Sequence, residues 1–266
     1  MRAWPAALTP VRAARLFAAS NIAFLGLDIA LAHRENDFAH PAEWAPVVFS
    51  LLAGLLLAPG ALGVERAWVV ALDRAVAVGA VALGVAGLVF HLQSAFFEDQ
   101  TLRNLVYAAP FAAPLAYVGV GLLILLVLGE EAATPALGPW ILLLALGGFV
   151  GNLALSLLDH AQNGFFRASE WLAVGAAAFG VSFLLLTLLR PSLAMIKICL
   201  AVMGAELAMG ALGFVLHVEA NLHRLGSSLL ERFTFGAPAF APLLFADLAL
   251  LGAIGLWATQ RTLRAE

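Results

Sequence analysis

Four histidines and two glutamates recur at matched spacings along the chain. "LAHRENDFAHPAEW" at 31–44 and "LLDHAQNGFFRASEW" at 157–171 both read H-x2-N-x-F-x4-E-W, which sets His33, Asn36, Phe38, Glu43 and Trp44 against His160, Asn163, Phe165, Glu170 and Trp171 at one offset. Further on, "LGVAGLVFH" at 83–91 matches "MGALGFVLH" at 209–217, pairing Gly84, Gly87 and His91 with Gly210, Gly213 and His217. "APFAAP" at 109–114 then meets "APAFAP" at 237–242. Two neutral imidazoles and a carboxylate form a ligand set that suits Fe(II), and Zn(II) or Cu(II) in other geometries, with positions left for water or substrate. The candidate metal ligands are therefore His33, Glu43 and His91 in one half and His160, Glu170 and His217 in the other, with Asn36 and Asn163 as supporting partners.

The elements that position these groups follow from composition. A chain of 266 residues that is 63% hydrophobic and 12% charged exceeds what a water-soluble domain of this size can bury. Long apolar segments lie at about 16–33, 44–64, 72–92, 105–128, 136–158, 171–189, 192–218 and 233–258, each near the roughly 20 residues needed to cross ~30 Å of hydrocarbon. The second is the least clean, because Pro46 and "APG" at 58–60 interrupt it. The expected fold is an all-α integral membrane protein of eight transmembrane helices. A cytoplasmic segment 1–13 leads into a four-helix repeat at 14–128, and a linker at 129–136 leads into a second repeat at 137–258, followed by a tail at 259–266. An even number of spans per repeat gives both copies the same topology, related by a pseudo-two-fold axis along the membrane normal. Residues 1–33 resemble a secretion signal ending in "ALA", but the segment before His33 matches the one before His160, so it is read as part of the repeat.

Across alternate loops, nine of the Arg and Lys residues fall on the side of the termini and five on the other, which places both termini in the cytoplasm, in a bacterial inner membrane. The opposite face carries Glu35, Asp37, Glu43, Glu98, Asp99, Asp159, Glu170, Glu219 and Glu231. Nothing in the charge pattern points to nucleic acid. With the spans alternating in direction, His33, His91, His160 and His217 end the outward-running helices, and Glu43 and Glu170 start the returning ones at the same face. Where the two units meet, the six groups could also build a dinuclear centre.

Each residue also has a purely structural use. A histidine at a helix C-terminus complements the dipole, a glutamate at a helix start does so with opposite sign, and Trp44 and Trp171 suit an aromatic interface belt. His40 and His223 have no matched counterparts and read as interfacial side chains. Cys199, the single cysteine, excludes an internal disulfide and a thiolate cluster and reads as core packing.

The ligand set supports a metal centre holding iron, copper or zinc, in an oxidoreductase or electron-transfer subunit acting on a lipophilic substrate or a redox protein partner. The same histidines also suit haem b, with His91 and His217 as axial ligands and Gly84, Gly87, Gly210 and Gly213 leaving a face for the flat macrocycle. The plan of two four-helix repeats with four outer-face histidines is similar to that of haem A synthase in architecture, which implies haem ligation; its motifs are not matched residue by residue. A transporter or channel is a different class, in which the acids Asp28, Glu206 and Asp247, lying within spans and unmatched in the other half, form a proton or ion route. A non-catalytic membrane subunit is a further possibility. No nucleophile motif, nucleotide loop or H-E-x-x-H sequence is present.

Overall fold

In a computed structural model, residues 8–93, 96–107 and 109–265 are described, and all of their regular structure is helical. Residues 1–7, most of the expected cytoplasmic segment, lie outside the described residues. The helices are α1 (Pro10–Arg34), α2 (Trp44–Ala61), α3 (Ala67–Gln93), α4 (Leu102–Tyr107), α5 (Leu115–Leu128), α6 (Leu137–Gln162), α7 (Glu170–Leu189), α8 (Leu193–His223), α9 (Leu229–Thr234) and α10 (Leu243–Leu263). Seven of them, α1–α3, α6–α8 and α10, are long and apolar enough to cross a membrane.

The exterior agrees with lipid contact. Leu55 is 73% exposed, Phe179 61% and Val215 57%, a surface a water-soluble protein would not present over whole helices. The interior is a close-packed core around Ile22, Leu123, Ile141, Leu142, Phe149 and Leu184.

Two of the expected spans differ in the same way. The segments expected at 105–128 and 233–258 open on the ends of the short helices α4 and α9, and their long helices start only at Leu115 and Leu243. In both, the proline-containing hexapeptide forms a succession of turns: Pro110 O accepts from Ala113 N–H at 3.0 Å, and Pro238 O from Ala241 N–H at 3.3 Å. Proline lacks the N–H an entering helix would need and restricts the residue before it, while hydropathy alone scores these apolar turns as helix. The consequence is largest for α5, which has 14 residues and spans ~21 Å at ~1.5 Å per residue, short of the ~30 Å hydrocarbon thickness. The second span, by contrast, runs as helix through Pro59 to Ala61, at the cost of the one ladder bond that the Pro59 nitrogen cannot donate, and it ends within two residues.

Helix neighbours correspond half for half. In the first half α1 packs on α2 and α5, and α3 on α2 and α5; in the second α6 packs on α7 and α10, and α8 on α7 and α10. Between halves, α1 meets α9 and α10, and α6 meets α4 and α5. Phe240, next to the start of α10, lies edge-on to Phe24 of α1 at 5.2 Å, adding an aromatic contact across this boundary.

Candidate functional site

The H-x2-N-x-F segment closes a helix in each half with the same backbone geometry. Phe38 N–H donates to His33 O at 3.1 Å and Asp37 N–H to Arg34 O at 3.1 Å; Phe165 N–H donates to His160 O at 3.1 Å and Gly164 N–H to Ala161 O at 3.0 Å. These paired bonds define a Schellman cap, whose hydrophobic contact joins the residues bridged by the longer bond. That contact is the His33–Phe38 ring pair at 6.0 Å in one half and His160–Phe165 at 6.0 Å in the other. The chain turns left-handed at Asp37 (φ 54°) and Phe38 (φ 52°), and at Gly164 (φ 68°) and Phe165 (φ 51°). The following tryptophan covers the phenylalanine face to face, Phe38 on Trp44 at 3.9 Å and Phe165 on Trp171 at 4.0 Å.

Each cap sets one histidine beside the glutamate that starts the next helix. His33 Nδ1 lies 3.2 Å from the backbone oxygen of Glu43, and His160 Nδ1 lies 3.5 Å from the Glu170 carboxylate. The Glu43 carboxylate is engaged differently, with Oε1 accepting from Asn36 Nδ2 and from the His40 N–H, each at 3.2 Å. His40 completes a capping box by accepting from Ala42 N–H at 3.2 Å. Asn36 therefore supports Glu43 directly, whereas Asn163 takes part through its backbone N–H, which donates to His160 O at 3.2 Å. Glu43 Oε2 is buried with no hydrogen-bond partner, and Glu170 Oε2, also without a hydrogen bond, is the oxygen that faces His160 Nδ1.

The other two histidines are held by the proline hexapeptides. His91 Nδ1 lies 3.0 Å from Pro110 O and His217 Nδ1 lies 2.8 Å from Pro238 O. The glycines preceding them bring that segment close. A Cβ built at Gly84 would lie 2.8 Å from Pro114 O, and one at Gly87 2.9 Å from Pro114 Cβ. At Gly210 and Gly213 the corresponding atoms are Pro242 O at 3.0 Å and Pro242 Cβ at 2.7 Å. The glycine face is thus filled by the entry to α5 or α10, so close helix packing accounts for all four glycines, and a macrocycle would have to displace Pro114 or Pro242 to use it.

In the first half the His33 and His91 rings stand 6.4 Å apart, with Glu43 in Coulombic range of His91. In the second half His217 and Glu170 are both in Coulombic range of His160. A backbone carbonyl only accepts, so His33, His91 and His217 donate from Nδ1, and in the neutral ring Nε2 carries the lone pair. Orientation of a ring by its Nδ1–H toward a carbonyl or carboxylate is the arrangement that presents Nε2 to a metal. Among the described residues, no three His, Cys, Asp or Glu side chains already stand close enough together to share a metal ion.

The chain matches no known protein family, no curated protein and no solved structure.

The three acids within spans face different neighbours. Asp28 is half-buried on α1, in Coulombic range of Tyr117. Asp247 on α10 accepts a hydrogen bond from Asn21 Nδ2 on α1, joining the two halves. Glu206 on α8 is 2% exposed and lies against the backbone of Gly180 on α7.

Two further polar residues escaped the sequence reading. Fully buried Asn221 clasps the second hexapeptide, donating to Ala237 O at 2.8 Å and accepting from Ala237 N–H at 2.7 Å. Asp73 is buried beside a water-sized cavity that Arg15 also lines. A lone Asn near a helix end carries no pattern of its own; the adjacent matched hexapeptide was the signal that something must hold it.

Proposed function

We propose that the protein is a redox-active membrane metalloprotein in which each repeat binds a transition metal through its two imidazoles, with the neighbouring glutamate as third ligand. The supporting observation is that three of the four matched histidines are anchored through Nδ1 by backbone carbonyls, while Nδ1 of the fourth, His160, faces the Glu170 carboxylate. Two nitrogen ligands with a carboxylate suit iron, copper or zinc. The orphaned Oε2 of Glu43 supplies the carboxylate in the first half, since a buried acceptor without a partner gains from a cation; in the second half Glu170 Oε2 faces His160, and Oε1 is the oxygen left for the ion. Rearrangement of the side chains is required to bring the three groups onto one ion.

In this reading the chain crosses a bacterial inner membrane eight times, α5 together with its preceding turns forming the shortest crossing. The two repeats are related by a pseudo-two-fold axis along the membrane normal, both termini are cytoplasmic, and the metal lies near the outer face. A lipophilic substrate or a redox protein then exchanges electrons there.

The test is elemental analysis with an absorption spectrum of the detergent-purified protein. Wild type is expected to retain metal, His33→Ala/His91→Ala and His160→Ala/His217→Ala each to lose about half of it, and the quadruple variant all. Full retention in the quadruple variant overturns the ligand assignment. A Soret band replaces the non-haem centre with haem b, and a wild type without metal after supplementation with iron, copper and zinc overturns both.

A further inference from the structure

The two halves part company between their second and third helices. In the second half, Leu172, Ala176 and Phe179 of α7 face Val202 and Met209 of α8 across an open groove of about 290 Å³, with Glu206 at its base. Leu172 and Phe179 are 58% and 61% exposed, so the groove opens sideways toward lipid. At the corresponding place in the first half, Phe49 stands where Ala176 does and Ala80 where Glu206 does. Phe49 fills that space: its Cε2 lies 3.0 Å from a Cβ built at Gly79, and its ring packs on Tyr117 at 6.0 Å. The fold therefore closes this groove when the sequence supplies an aromatic ring, and in the second half it supplies alanine and an acid.

The acid is partly unengaged. One side of the Glu206 carboxyl is occupied by the backbone of Gly180, while Oε2 is buried with no hydrogen-bond partner. An unpaired buried polar atom is costly, and in hydrocarbon no water is at hand to relieve it. Glu206 lies eleven residues before His217 on α8, which at ~1.5 Å per residue is roughly 16 Å further into the bilayer. At that depth a phospholipid headgroup does not reach it and a cationic ligand pays heavy desolvation. A neutral carbonyl or hydroxyl carried on a lipid-soluble molecule does reach it, and a carboxyl can donate to the first or accept from the second.

We propose that the α7–α8 groove is a binding site for a quinone or quinol, entered from the bilayer, with Glu206 hydrogen-bonding the ring oxygen and Phe179 flanking the ring. A volume near 300 Å³ lined by apolar side chains around one polar group is the format of a small-molecule site. Leu172, two residues beyond Glu170, places the other end of the groove at the histidine cluster of the same half. The site itself requires no metal and stands apart from the reading above.

The experiment uses the full chain in lipid nanodiscs, a photoreactive alkyl benzoquinone, and decyl-benzoquinone as competitor, with labelled peptides mapped by mass spectrometry. Labelling is expected on the α7 and α8 segments around Phe179 and Met209. Ala176→Phe, which copies the first half, and Glu206→Leu, which removes the hydrogen bond, should each weaken competition about tenfold or more. Metal-stripped protein and the histidine variants should label like wild type, so failure of the metal reading leaves this result unchanged. Unaltered labelling in both groove variants, or equal competition by a long-chain alcohol, overturns the proposal.

Discussion

The carbonyl oxygen of Pro238 is shared between His217 Nδ1 at 2.8 Å and the Ala241 N–H at 3.3 Å. Pro110 serves His91 and Ala113 in the same way. The histidine ties the incoming turn to the preceding span as well as facing the site. In metal-stripped protein, His217→Ala and His91→Ala should each lower stability by about 1 kcal/mol, the net worth of one such bond, read by denaturant unfolding in detergent. An unchanged midpoint for both would show that the turns hold themselves.

The caps differ at one equivalent position, Asp37 in the first and Gly164 in the second, both left-handed. Gly164→Ala should destabilise by roughly 1 kcal/mol, since a Cβ is disfavoured in this region. Asp37→Gly should relieve the same strain and raise the thermal midpoint, or leave it level, because glycine's extra unfolded-state freedom offsets part of the gain.

Gly213→Val inserts side-chain atoms where Pro242 already sits, because a Cβ at this position lies 2.7 Å from Pro242 Cβ. Overpacking of this kind costs typically 1–3 kcal/mol or more. Gly204→Val on the same helix meets nothing within 4 Å and should be tolerated. Folded yield and thermal midpoints of the two variants decide the comparison; equal loss would mean that helix propensity, not the contact, sets the cost.

Asn221 makes both of its side-chain bonds to Ala237 and is fully buried. Replacing it with Ala leaves an N–H and a carbonyl of Ala237 without partners, a loss of about 2 kcal/mol on the scale for buried unsatisfied groups. Proteolysis within 229–242 should accelerate in parallel. Wild-type protection there would place the clasp outside the stability of the turn.

Glu43→Gln retains an oxygen that can accept from Asn36 and the His40 N–H, so folding should change by less than about 1 kcal/mol. Glu170→Gln gives up the charge facing His160. Under the metal reading both variants lose most of their metal affinity, because ligation requires the carboxylate. Wild-type metal content in both returns the two glutamates to helix capping alone.

The sequence made the helical, apolar architecture and the matched motifs legible. Hydrophobicity sums over long windows, so six of the spans fall close to the observed helices. The same summation misplaced the starts of α5 and α10 by ten residues, because Ala, Phe and Pro score as apolar whether they lie in a helix or in the turns ending at Pro114 and Pro242. The matched motifs were readable because polar residues stood out against interchangeable neighbours, but their spacing was silent on geometry.

What the sequence alone determined was that His33, Glu43 and His91, and their second-half counterparts, sit at matched spacings in a membrane-like chain. Which atoms those residues present was decided by tertiary structure. The Schellman bonds orient His33 and His160, the hexapeptide carbonyls orient His91 and His217, and only helix packing shows that Pro114 and Pro242 fill the glycine faces. The contrast between a closed first-half groove and an open second-half one was likewise out of reach, since Phe49 and Ala176 are both ordinary apolar residues in a hydropathy window. A side chain's volume matters only against the neighbour it packs on, and that neighbour lies on another helix.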